Sequence, residues 1–599
     1  MSDFWSDCKK RERNPMPAYP FIKGNPLAPL DEYRGKAFSG EWPTVVEMFE
    51  LSCKRFPGNA CFTSIFPERE HYTYAEVQEK VRKVSNYLVK RCGIRKGDKI
   101  AVSGKNSPQW AIAYLAILKS GAIVVPLDFG LHDNDMERLL KFAEATYLFI
   151  DRDRIRNIDA DGSVGLKGKF SLEQGDPDYA YLFDLVEEED VPRYHANEYD
   201  TAAILFTSGT TGTPKGVMLS HRNITSDTFL VTYYMPLYES DVFYVILPIH
   251  HAYTMTAVLM ETLSVGASAV FGKRIAVTQM LKELKEGKVT MLLAVPMLYN
   301  KMIKALMEGI RKKGIVVYAV VRGLMTFSGA FKKLTGINIG KHLFKGILAQ
   351  VSMDTNRICI CGAGPLPEST YRLWNQMGID FVEGYGLTEA SPITNLNPPW
   401  HYKYDAVGTI FPQEEIKIVN PDENGNGVMY IKGPNVMQGY YKNPEATKEV
   451  LTEDGWLNTG DVGHLDANNF FTITGRERSI IVTEGGKNVF PEEIEDKFQL
   501  FDEIGIIAII GYTVDKALKT EGVRAVIYPE PKYTEKMQKE HPDDYQGLIQ
   551  KRMEALVEDV NKELHSYQKI TRVTVTYKPL PLTTTAKVKR FEIKELFAD

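Results

Sequence analysis

Several features that define broad protein classes are scarce or missing in this sequence. Its 599 residues contain only six cysteines. The one closely spaced pair, Cys359 and Cys361, lies in an apolar stretch, which favours neither a zinc site nor a disulfide framework. The net charge is −5, so no overall basic field indicates nucleic-acid binding. The scarcity of cysteine predicts reduced thiols in a cytoplasmic protein.

A secretory signal and a long hydrophobic run are also missing. Positions 1–14 are polar, carry four basic side chains and are not followed by an apolar core. The longest apolar region, 314–331, is interrupted by Arg322 and by glycine or polar residues, which argues against a membrane-spanning helix. With 44% hydrophobic and 25% charged residues, the composition is typical of a soluble globular protein. The length allows roughly four domain-sized units.

Short apolar strands alternate with helices through the first two thirds of the chain. Strands are predicted at 99–103 and 122–127, with a buried helix at 110–119 between them, and a second series runs from 201 to 395. Continuous Val, Ile and Leu runs between helices are typical of a parallel sheet covered on both faces. The fold class is therefore α/β, with parallel-type sheets covered by helices in a large N-terminal domain.

The last third of the chain has a different pattern. Strands at 415–419 and 428–432, separated by a glycine-rich turn, predict a β-rich subdomain. Further on, strands and one long helix follow the pattern of a small α+β domain, with strands at 505–510, 523–528 and 571–577 and a helix at 545–564. We therefore predict a large domain over 1–476 and a small C-terminal domain over 477–599.

The segment 207–216, TSGTTGTPKG, directly follows the apolar run 202–206. Its glycines allow backbone N–H groups to approach an anion, its hydroxyls add donors, and Lys215 supplies a positive charge. It is not a Walker A loop, because Pro214 precedes Lys215 and Gly216 follows it. The segment predicts a loop that binds polyphosphate, with Thr207, Ser208, Gly209, Thr210, Thr211, Gly212 and Lys215 as its candidate nucleotide-binding residues.

This loop resembles the phosphate loop of the adenylate-forming superfamily, which includes acyl-CoA synthetases, luciferases and nonribosomal peptide adenylation domains. Further segments that resemble those of the superfamily follow in the expected order, as far as 582–590. The resemblance implies a reaction in two steps. A carboxylate first attacks the α-phosphorus of Mg·ATP to give an acyl-adenylate and pyrophosphate. A thiol then attacks the acyl carbon and AMP leaves.

Two segments resemble the adenosine-binding and magnesium-binding elements of the superfamily. One is the small-residue turn at 361–366, and the other is 383–389, EGYGLTE. In the second, the Tyr385 ring can lie against adenine, the Thr388 hydroxyl can reach an α-phosphate oxygen, and the Glu389 carboxylate can hold Mg²⁺. Thr388, Glu389 and Lys215 are also candidate catalytic residues. The other candidate nucleotide-binding residues here are Gly362, Ala363, Gly364, Glu383, Gly384 and Gly386.

Later segments extend the resemblance to the C-terminus. NTGD at 458–461 resembles the ribose clamp, in which Asp461 accepts from the ribose hydroxyls, and Arg476 supplies a second sugar or phosphate contact. The resemblance places a hinge at Arg478, about which the small mobile domain rotates between the two steps. It also places the catalytic lysine at Lys587. The loop that approaches the CoA thiol contains Gly485, Gly486 and Lys487.

The segment 247–253, LPIHHAY, resembles the acyl-pocket segment of the superfamily, in which a histidine and an aromatic residue border the carboxylate substrate. Met255 stands at the position where several long-chain relatives carry a tryptophan gate. The resemblance therefore gives His251, Tyr253, Met255 and Gly362 as the candidate pocket residues.

Residues 301–350 form an extra segment that favours the long-chain fatty acyl-CoA synthetases within the superfamily. The segment holds ten Lys or Arg residues and one acid, a net charge of +9, interleaved with Val, Leu and Phe. This composition is typical of an amphipathic surface that rests on an anionic bilayer. We expect a cytoplasmic enzyme with peripheral contact at the inner face of a membrane. The alternative is a solvated basic insert that covers its own core.

The resemblance implies a long-chain fatty acid–CoA ligase with fatty acid, ATP and CoA as substrates and Mg²⁺ as cofactor. Three alternatives stay open: a ligase that loads an acyl carrier protein, a medium-chain or aryl-CoA ligase, and a non-catalytic sensor of nucleotide or acyl ligand. The presence of Lys215, Glu389, Asp461 and Lys587 argues against the sensor. No nucleic-acid partner is expected.

Overall fold

The computed structural model describes residues 27–597, except for 193, 195, 208–213, 274–276, 484–486, 500, 516–519 and 583–587. Several residues that the sequence assigns to the site lie outside the described residues, namely Ser208, Gly209, Thr210, Thr211, Gly212, Gly485, Gly486 and Lys587. Their assigned roles stay predictions from the sequence.

The described chain contains 25 strands. They are β1 (Ala60–Ser64), β2 (Glu70–Thr73), β3 (Lys99–Ser103), β4 (Ile123–Leu127), β5 (Ala145–Ile150), β6 (Gly168–Ser171), β7 (Thr201–Thr207), β8 (Lys215–Ser220), β9 (Val242–Val245), β10 (Ser268–Phe271), β11 (Met291–Ala294), β12 (Ile358–Cys361), β13 (Asp380–Gly386), β14 (Ile393–Leu396), β15 (Thr409–Ile410), β16 (Glu415–Val419), β17 (Gly427–Lys432), β18 (Gly439–Tyr440), β19 (Leu457–Leu465), β20 (Phe471–Arg476), β21 (Ile481–Val482), β22 (Asn488–Val489), β23 (Ile504–Asp515), β24 (Thr520–Pro529) and β25 (Ile570–Val575).

Helices connect most of these strands. They are α1 (Ala28–Tyr33), α2 (Val45–Arg55), α3 (Tyr74–Lys90), α4 (Pro108–Lys119), α5 (Asp133–Ala143), α6 (His221–Leu230), α7 (Ala252–Thr254), α8 (Glu261–Val265), α9 (Val277–Glu286), α10 (Pro296–Lys312), α11 (Ile315–Thr335), α12 (Gly340–Leu343), α13 (Lys345–Leu348), α14 (Glu368–Gln376), α15 (Pro444–Val450), α16 (Pro491–Asp496), α17 (Pro531–Glu540), α18 (Tyr545–Asn561) and α19 (Arg590–Leu596). A π-helical turn, Met255–Met260, joins α7 to α8.

Two large sheets carry most of the strands before residue 476. One has the strand order β18-β8-β7-β4-β3-β5-β6, and its strands β7, β4, β3, β5 and β6 run parallel. The other has the order β15-β14-β13-β12-β11-β9-β10-β1-β2, and its strands from β13 to β1 run parallel. Buried helices such as α4, which packs on β3 and β4, cover these sheets. The predicted α/β fold class is confirmed.

Local signals in the sequence account for where the elements begin. The helix predicted at 110–119 starts slightly earlier, at Pro108, because the Ser107 side chain accepts a hydrogen bond from the Trp110 backbone N–H at 3.2 Å. A serine cap followed by proline is a common helix start, since proline has no N–H to leave unpaired. The helix predicted at 545–564 is observed as α18.

The predicted β-rich subdomain is an antiparallel sheet of β16-β17-β19-β20. The predicted α+β tail contains the sheet β23-β24-β25, with α18 packed against β25. A short hairpin of β21 and β22 precedes α16. The sheet of the β-rich subdomain ends with β20 at Arg476, and the domain boundary assigned after this residue stays a prediction.

The expectation that the apolar region 314–331 is interrupted is wrong. The structure has one continuous helix, α11, over Ile315–Thr335. By length and composition it is long and apolar enough to cross a membrane. Arg322 does not end the helix, because arginine is a good helix former whose charged head can reach solvent.

The extra segment 301–350 is not one uniform basic surface. Its first part belongs to α10, which buries Met302, Ile303, Leu306 and Ile310. Lys332 is also buried, and its Nζ donates to Asn375 Oδ1 at 2.9 Å and to Asp380 Oδ1 at 2.8 Å. Lys332 therefore anchors α11 to the α14–β13 region and does not add to an exposed basic face.

Replacing Lys332 with alanine tests this anchor. The change leaves the Asp380 carboxylate without its cation, so we expect the free energy of unfolding to fall by about 2 kcal/mol, measured from urea unfolding curves. The neighbouring Lys333 is exposed, and Lys333→Ala should change the same quantity by less than about 0.5 kcal/mol. Equal effects of the two substitutions would contradict the anchoring role.

Candidate active site

A cleft of about 3600 Å³ is lined by residues of both large sheets and by residues between 476 and 597. Most of the described residues that the sequence assigned to the site line this cleft. They are Thr207, Lys215, His251, Tyr253, Gly362, Ala363, Gly364, Glu383, Gly384, Tyr385, Gly386, Thr388, Glu389, Asp461, Arg476 and Arg478. Segments that are far apart in the sequence therefore meet at one site.

Tyr385, Asp461 and Arg476 form a connected group at the cleft. Asp461 on β19 lies opposite Arg476 on β20, and the Arg476 Nε lies 2.9 Å from Asp461 Oδ1. The Tyr385 hydroxyl donates to Asp461 Oδ2, and burial together with this carboxylate raises the pKa of Tyr385 well above its usual range. Each carboxylate oxygen has a second lone pair, so Asp461 can still accept from ribose hydroxyls while these partners fix its orientation.

Gly386 is required by backbone packing. A Cβ at this position would lie 1.9 Å from the Pro392 carbonyl oxygen, because β13 and β14 pair closely here. Gly384 has more space, since a Cβ there would lie 3.0 Å from the Leu396 side chain. The sequence assigned both glycines to nucleotide access. At Gly386, the close approach of the chain at Pro392 is by itself enough to require glycine.

Glu389 and Lys215 are brought together by Tyr440, a residue that the sequence analysis missed. The Tyr440 hydroxyl donates to Glu389 Oε1 at 2.9 Å. The Lys215 Nζ lies 4.7 Å from the centre of the Tyr440 ring, a cation–π distance. Tyr440 therefore contacts the Glu389 carboxylate with its hydroxyl and the Lys215 ammonium with its ring.

The segment 434–441 holds this arrangement through its backbone. The Met437 N–H donates to the Glu389 carbonyl at 2.9 Å, and the Tyr441 N–H donates to the Gly216 carbonyl at 2.7 Å. One end of the segment thus binds the turn that carries Glu389, and the other end binds β8, which carries Lys215. Its β18 strand is paired with β8.

The donor set at Glu389 fits a magnesium ion bound together with substrate phosphates. Among the described residues, no group of three or more His, Cys, Asp or Glu side chains is arranged to hold a metal. Mg²⁺ often takes one or two carboxylates and completes its shell with phosphate oxygens and water. Glu389 supplies one such carboxylate, and its second oxygen is not used by Tyr440.

Asn106, also missed by the sequence analysis, positions the predicted acyl-pocket segment. Its side-chain Nδ2 donates to the carbonyls of Val245 and Leu247 at 3.1 and 2.9 Å, and its Oδ1 accepts from the Ile249 N–H at 3.0 Å. These bonds fix the chain between β9 and His250. A single buried asparagine carries no motif in the sequence, which is why it was not found.

Two adjacent imidazole rings, tilted by 42° to each other, follow. The ring centres of His250 and His251 are 4.2 Å apart. Burial and the neighbouring His251 hold the pKa of His250 well below its usual range, so its ring is neutral. Both histidines line the cleft, and the sequence assigns His251 to the substrate carboxylate.

Three of the four candidate acyl-pocket residues, His251, Tyr253 and Gly362, line the cleft. Tyr253 lines the cleft, and its hydroxyl donates to the Ile360 carbonyl at 3.3 Å. A Cβ at Gly362 would lie 3.3 Å from the Tyr253 ring, so these two residues are in contact. Met255 is fully buried at the start of the π-helical turn and is not among the residues that line the cleft. Its assignment to the acyl pocket stays a prediction from the sequence.

Half-buried carboxyl groups from α16, among them Asp496, also line the cleft. Burial raises the pKa of Asp496 to about 8. Burial and Asp496 raise the pKa of Glu383 well above its usual range. Since the two groups repel each other when ionised, their proximity disfavours the doubly ionised state. Glu383, assigned to nucleotide binding, is buried beside Asp496 in this arrangement.

Polar contacts join the two sides of the cleft. Lys304 Nζ lies 2.8 Å from Asp502 Oδ1, and Gln499 Nε2 donates to the Pro365 carbonyl at 3.2 Å. Lys487, assigned to the CoA-side loop, pairs with Glu423 at 2.6 Å and does not line the cleft. These groups are partly exposed, and exposed ion pairs contribute about 0–1 kcal/mol each.

The fold and the site define an enzyme that binds a nucleotide beside an acid-binding cleft. A family model described as AMP-binding enzyme matches residues 49–441. The match covers more than half of the chain, and the chain therefore belongs to this family. It is an adenylate-forming acid–thiol ligase, as the resemblance in the sequence indicated.

Relatives with curated names cover most of the chain. A long-chain-fatty-acid–CoA ligase of Escherichia coli is 26% identical over 611 residues, which span 92% of this chain and 94% of the relative. A chloroplastic long-chain-fatty-acid–[acyl-carrier-protein] ligase of Arabidopsis thaliana is 25% identical, and the match spans 84% of this chain and 79% of the relative. The two names differ in the thiol that accepts the acyl group.

The fold is also similar to that of a solved structure. ATP-bound MatB from Rhodopseudomonas palustris superposes with a TM-score of 0.72 at 23% identity, covering 93% of this chain and 99% of that chain. At this identity the likeness shows the shared fold.

Replacing Tyr440 with phenylalanine tests its role at the site. The variant keeps the ring beside Lys215 and removes the hydrogen bond to Glu389, so we expect about tenfold slower acid-dependent ATP–pyrophosphate exchange. Tyr441→Phe is a matched control, because the Tyr441 hydroxyl donates to Glu144, at 3.0 Å, in an exposed position. If both variants exchange pyrophosphate at the same rate, Tyr440 does not position Glu389.

Proposed function

We propose that this enzyme activates a long-chain fatty acid as an acyl-adenylate and transfers the acyl group to coenzyme A, with release of AMP and pyrophosphate. The observation that carries the proposal is the shared cleft. It joins the charged group of Lys215, Glu389 and Asp461 to an apolar wall beside His251. A nucleotide and an aliphatic acid can therefore meet within one cavity.

The first step requires neutralisation of phosphate charge. Attack of the acid on the α-phosphorus breaks the bond to the β-phosphate, and negative charge grows on the leaving pyrophosphate. Lys215 and the Thr388 hydroxyl lie in the cleft to stabilise this charge, and Lys587 is proposed to join them. A magnesium ion held by Glu389 would supply further positive charge.

The wall of the cleft supports an aliphatic acid. Its apolar residues include Val231, Ala257, Leu293, Val295, Leu298 and Met302. Each methylene group removed from water contributes about 0.8 kcal/mol. A long acyl chain would therefore gain affinity from such a wall in proportion to its length.

One observation favours a different acid. Glu261 lines the cleft four residues after Ala257 and is 1% exposed, and burial with Asp227 nearby raises its pKa well above the usual range. A neutral buried carboxyl group can exchange hydrogen bonds with a polar group of the substrate. This favours a hydroxylated or aryl acid as the second candidate, which corresponds to the medium-chain or aryl-CoA ligase alternative.

The second step needs space for a pantetheine thiol. We propose that residues 477–599 rotate about Arg478 after adenylation, which removes Lys587 and brings the loop of Gly485, Gly486 and Lys487 to the acyl carbon. The rotation would break contacts such as Lys304–Asp502 and Lys487–Glu423. Because these ion pairs are exposed, they oppose the rotation only weakly. An acyl carrier protein is the alternative acceptor.

A panel of carboxylic acids tests the substrate assignment. We expect AMP and pyrophosphate, with no ADP, only when an acid is present, and full loss of product with EDTA. The value of kcat/KM should rise about fourfold per added methylene until the cleft is filled. If a ω-hydroxylated or aryl acid is the best substrate, the second candidate function is the correct one. Comparing CoA with holo acyl carrier protein identifies the acceptor.

The two steps can be separated by substitution. Lys587→Ala should slow acyl-adenylate formation by ~10²–10³ and still convert supplied acyl-adenylate to the thioester. Gly486→Leu should do the reverse, because a narrow thiol channel leaves no space for a large side chain. Lys578→Ala, an exposed lysine of the same domain, is the matched control. Equal impairment of both steps by both variants would contradict a two-conformation mechanism.

A further inference from the structure

Helix α11 is apolar but lies mostly outside the core. Its 21 residues are apolar enough and long enough to cross a membrane, yet the buried ones are only Met325, Ser328 and Lys332. The exposed fraction reaches 77% for Ile315, 73% for Val316 and 86% for Leu334. Soluble proteins rarely leave an apolar surface of this extent uncovered, and such surfaces mark contacts with a partner or a membrane.

The helix has two distinct faces. The inner face packs against α10 and α14, with Met325, Ser328 and Lys332 buried. The outer face carries a stripe of large apolar side chains spaced three or four residues apart, at Val316, Val320, Leu324, Phe327, Phe331 and Leu334. Because this spacing follows the helical repeat, all six lie along one side of the helix.

Exposed basic residues stand at both ends of this stripe. Arg311, Lys312 and Lys313 precede the helix, and Lys333 and Lys345 lie near and beyond its end. The apolar character also continues past the helix, with Ile337 at 59% and Leu343 at 51% exposure. An apolar stripe flanked by basic residues matches the layered chemistry of an anionic membrane surface, which has acyl chains beneath negative headgroups.

We propose that the outer face of α11 docks on an anionic lipid membrane, with the stripe from Val316 to Leu334 inserted among the headgroups and acyl chains. Charge decides between this occupant and a second copy of the chain. The exposed basic residues Arg311, Lys312, Lys313, Lys333 and Lys345 outnumber Glu308, the one acid of 301–350, so two such faces would repel each other, while anionic lipid would be attracted. The cytoplasmic leaflet has the required negative surface potential.

The helix lies on the membrane and does not cross it. Its inner face is tied to the globular body through the hydrogen bonds of Lys332 to Asn375 and Asp380. A transmembrane position would break these bonds and expose the buried charge of Lys332 to lipid, which is costly. Helices α10 and α12 also return the chain to the same body on either side.

Docking in this orientation would bring the cleft to the lipid. Helix α10 leads directly into α11, and its residues Met297, Lys301 and Lys304 line the cleft. A membrane-dissolved fatty acid could then reach the cleft without crossing bulk water. This consequence rests on the proposed function, while the docking surface itself does not.

Vesicle co-sedimentation of the full-length protein tests the surface without substrate. The probes are vesicles of phosphatidylcholine and phosphatidylglycerol in equal parts, and vesicles of phosphatidylcholine alone. We expect binding to the anionic vesicles that weakens as salt is raised. The variant Val320→Gln/Leu324→Gln/Phe327→Gln should bind them at least about tenfold more weakly. Lys312→Glu/Lys313→Glu should weaken binding by about tenfold on anionic vesicles.

Matched controls carry the same chemical changes elsewhere on the surface. Val186→Gln/Leu596→Gln alters side chains that are 43% and 66% exposed, and Lys539→Glu/Lys551→Glu reverses two exposed lysines of the C-terminal region. Both controls should bind like the unaltered protein. All variants should keep their thermal unfolding midpoints and their activity on short, soluble acids, because the changed residues are exposed.

Two results would overturn the proposal. One is binding to anionic vesicles that is equally strong in the α11 variants and the controls. The other is a protein that does not bind vesicles and is a dimer in size-exclusion chromatography, with the triple glutamine variant monomeric. That second result would assign the face to a second copy of the chain. If docking is confirmed but long-chain acids are not activated, only the proposed substrate fails.

Discussion

The active-site cleft depends on the backbone of one short segment, 434–441. No sequence motif indicates a role for this segment, yet it hydrogen-bonds to the Glu389 turn at one end and to β8 at the other. It thereby holds Glu389, in the turn after β13, at a fixed distance from Lys215 on β8. Tyr440 then completes the connection through its hydroxyl and its ring. Preorganised charges of this kind need not rearrange during the reaction, which is why their placement matters for catalysis.

Other polar groups of the cleft are also held in place by partners from distant segments of the chain. Asp461 is fixed by Tyr385 and Arg476, and the chain before His250 is fixed by Asn106. In each case, a group that would contact substrate is oriented by residues from another sheet or strand. A change in the relation of the two sheets would therefore disturb the nucleotide and acyl parts of the cleft together.

The sequence predicted the fold class, most strands and the gathering of the motif residues, because strand periodicity, helix caps and glycine-rich loops are local signals. It could not predict Tyr440 or Asn106, whose roles exist only through contacts more than 50 residues away in the chain. Met255, which it assigned to the acyl pocket, is buried at the start of the π-helical turn. It also read Lys332 as surface charge, because the partner Asp380 lies 48 residues further on.

The distribution of charge relates the cleft to the exposed helix. The whole chain carries −5 and residues 301–350 carry +9, so the remainder carries −14. In the proposed docking, an anionic surface would attract the exposed basic residues beside α11, while the net charge of the remainder opposes contact. Electrostatics would thus orient the protein before any apolar contact forms, within the screening distance of about 8 Å at physiological ionic strength. Since α10 connects that side to the cleft wall, the orientation favoured by charge is also the one in which the cleft lies near the lipid.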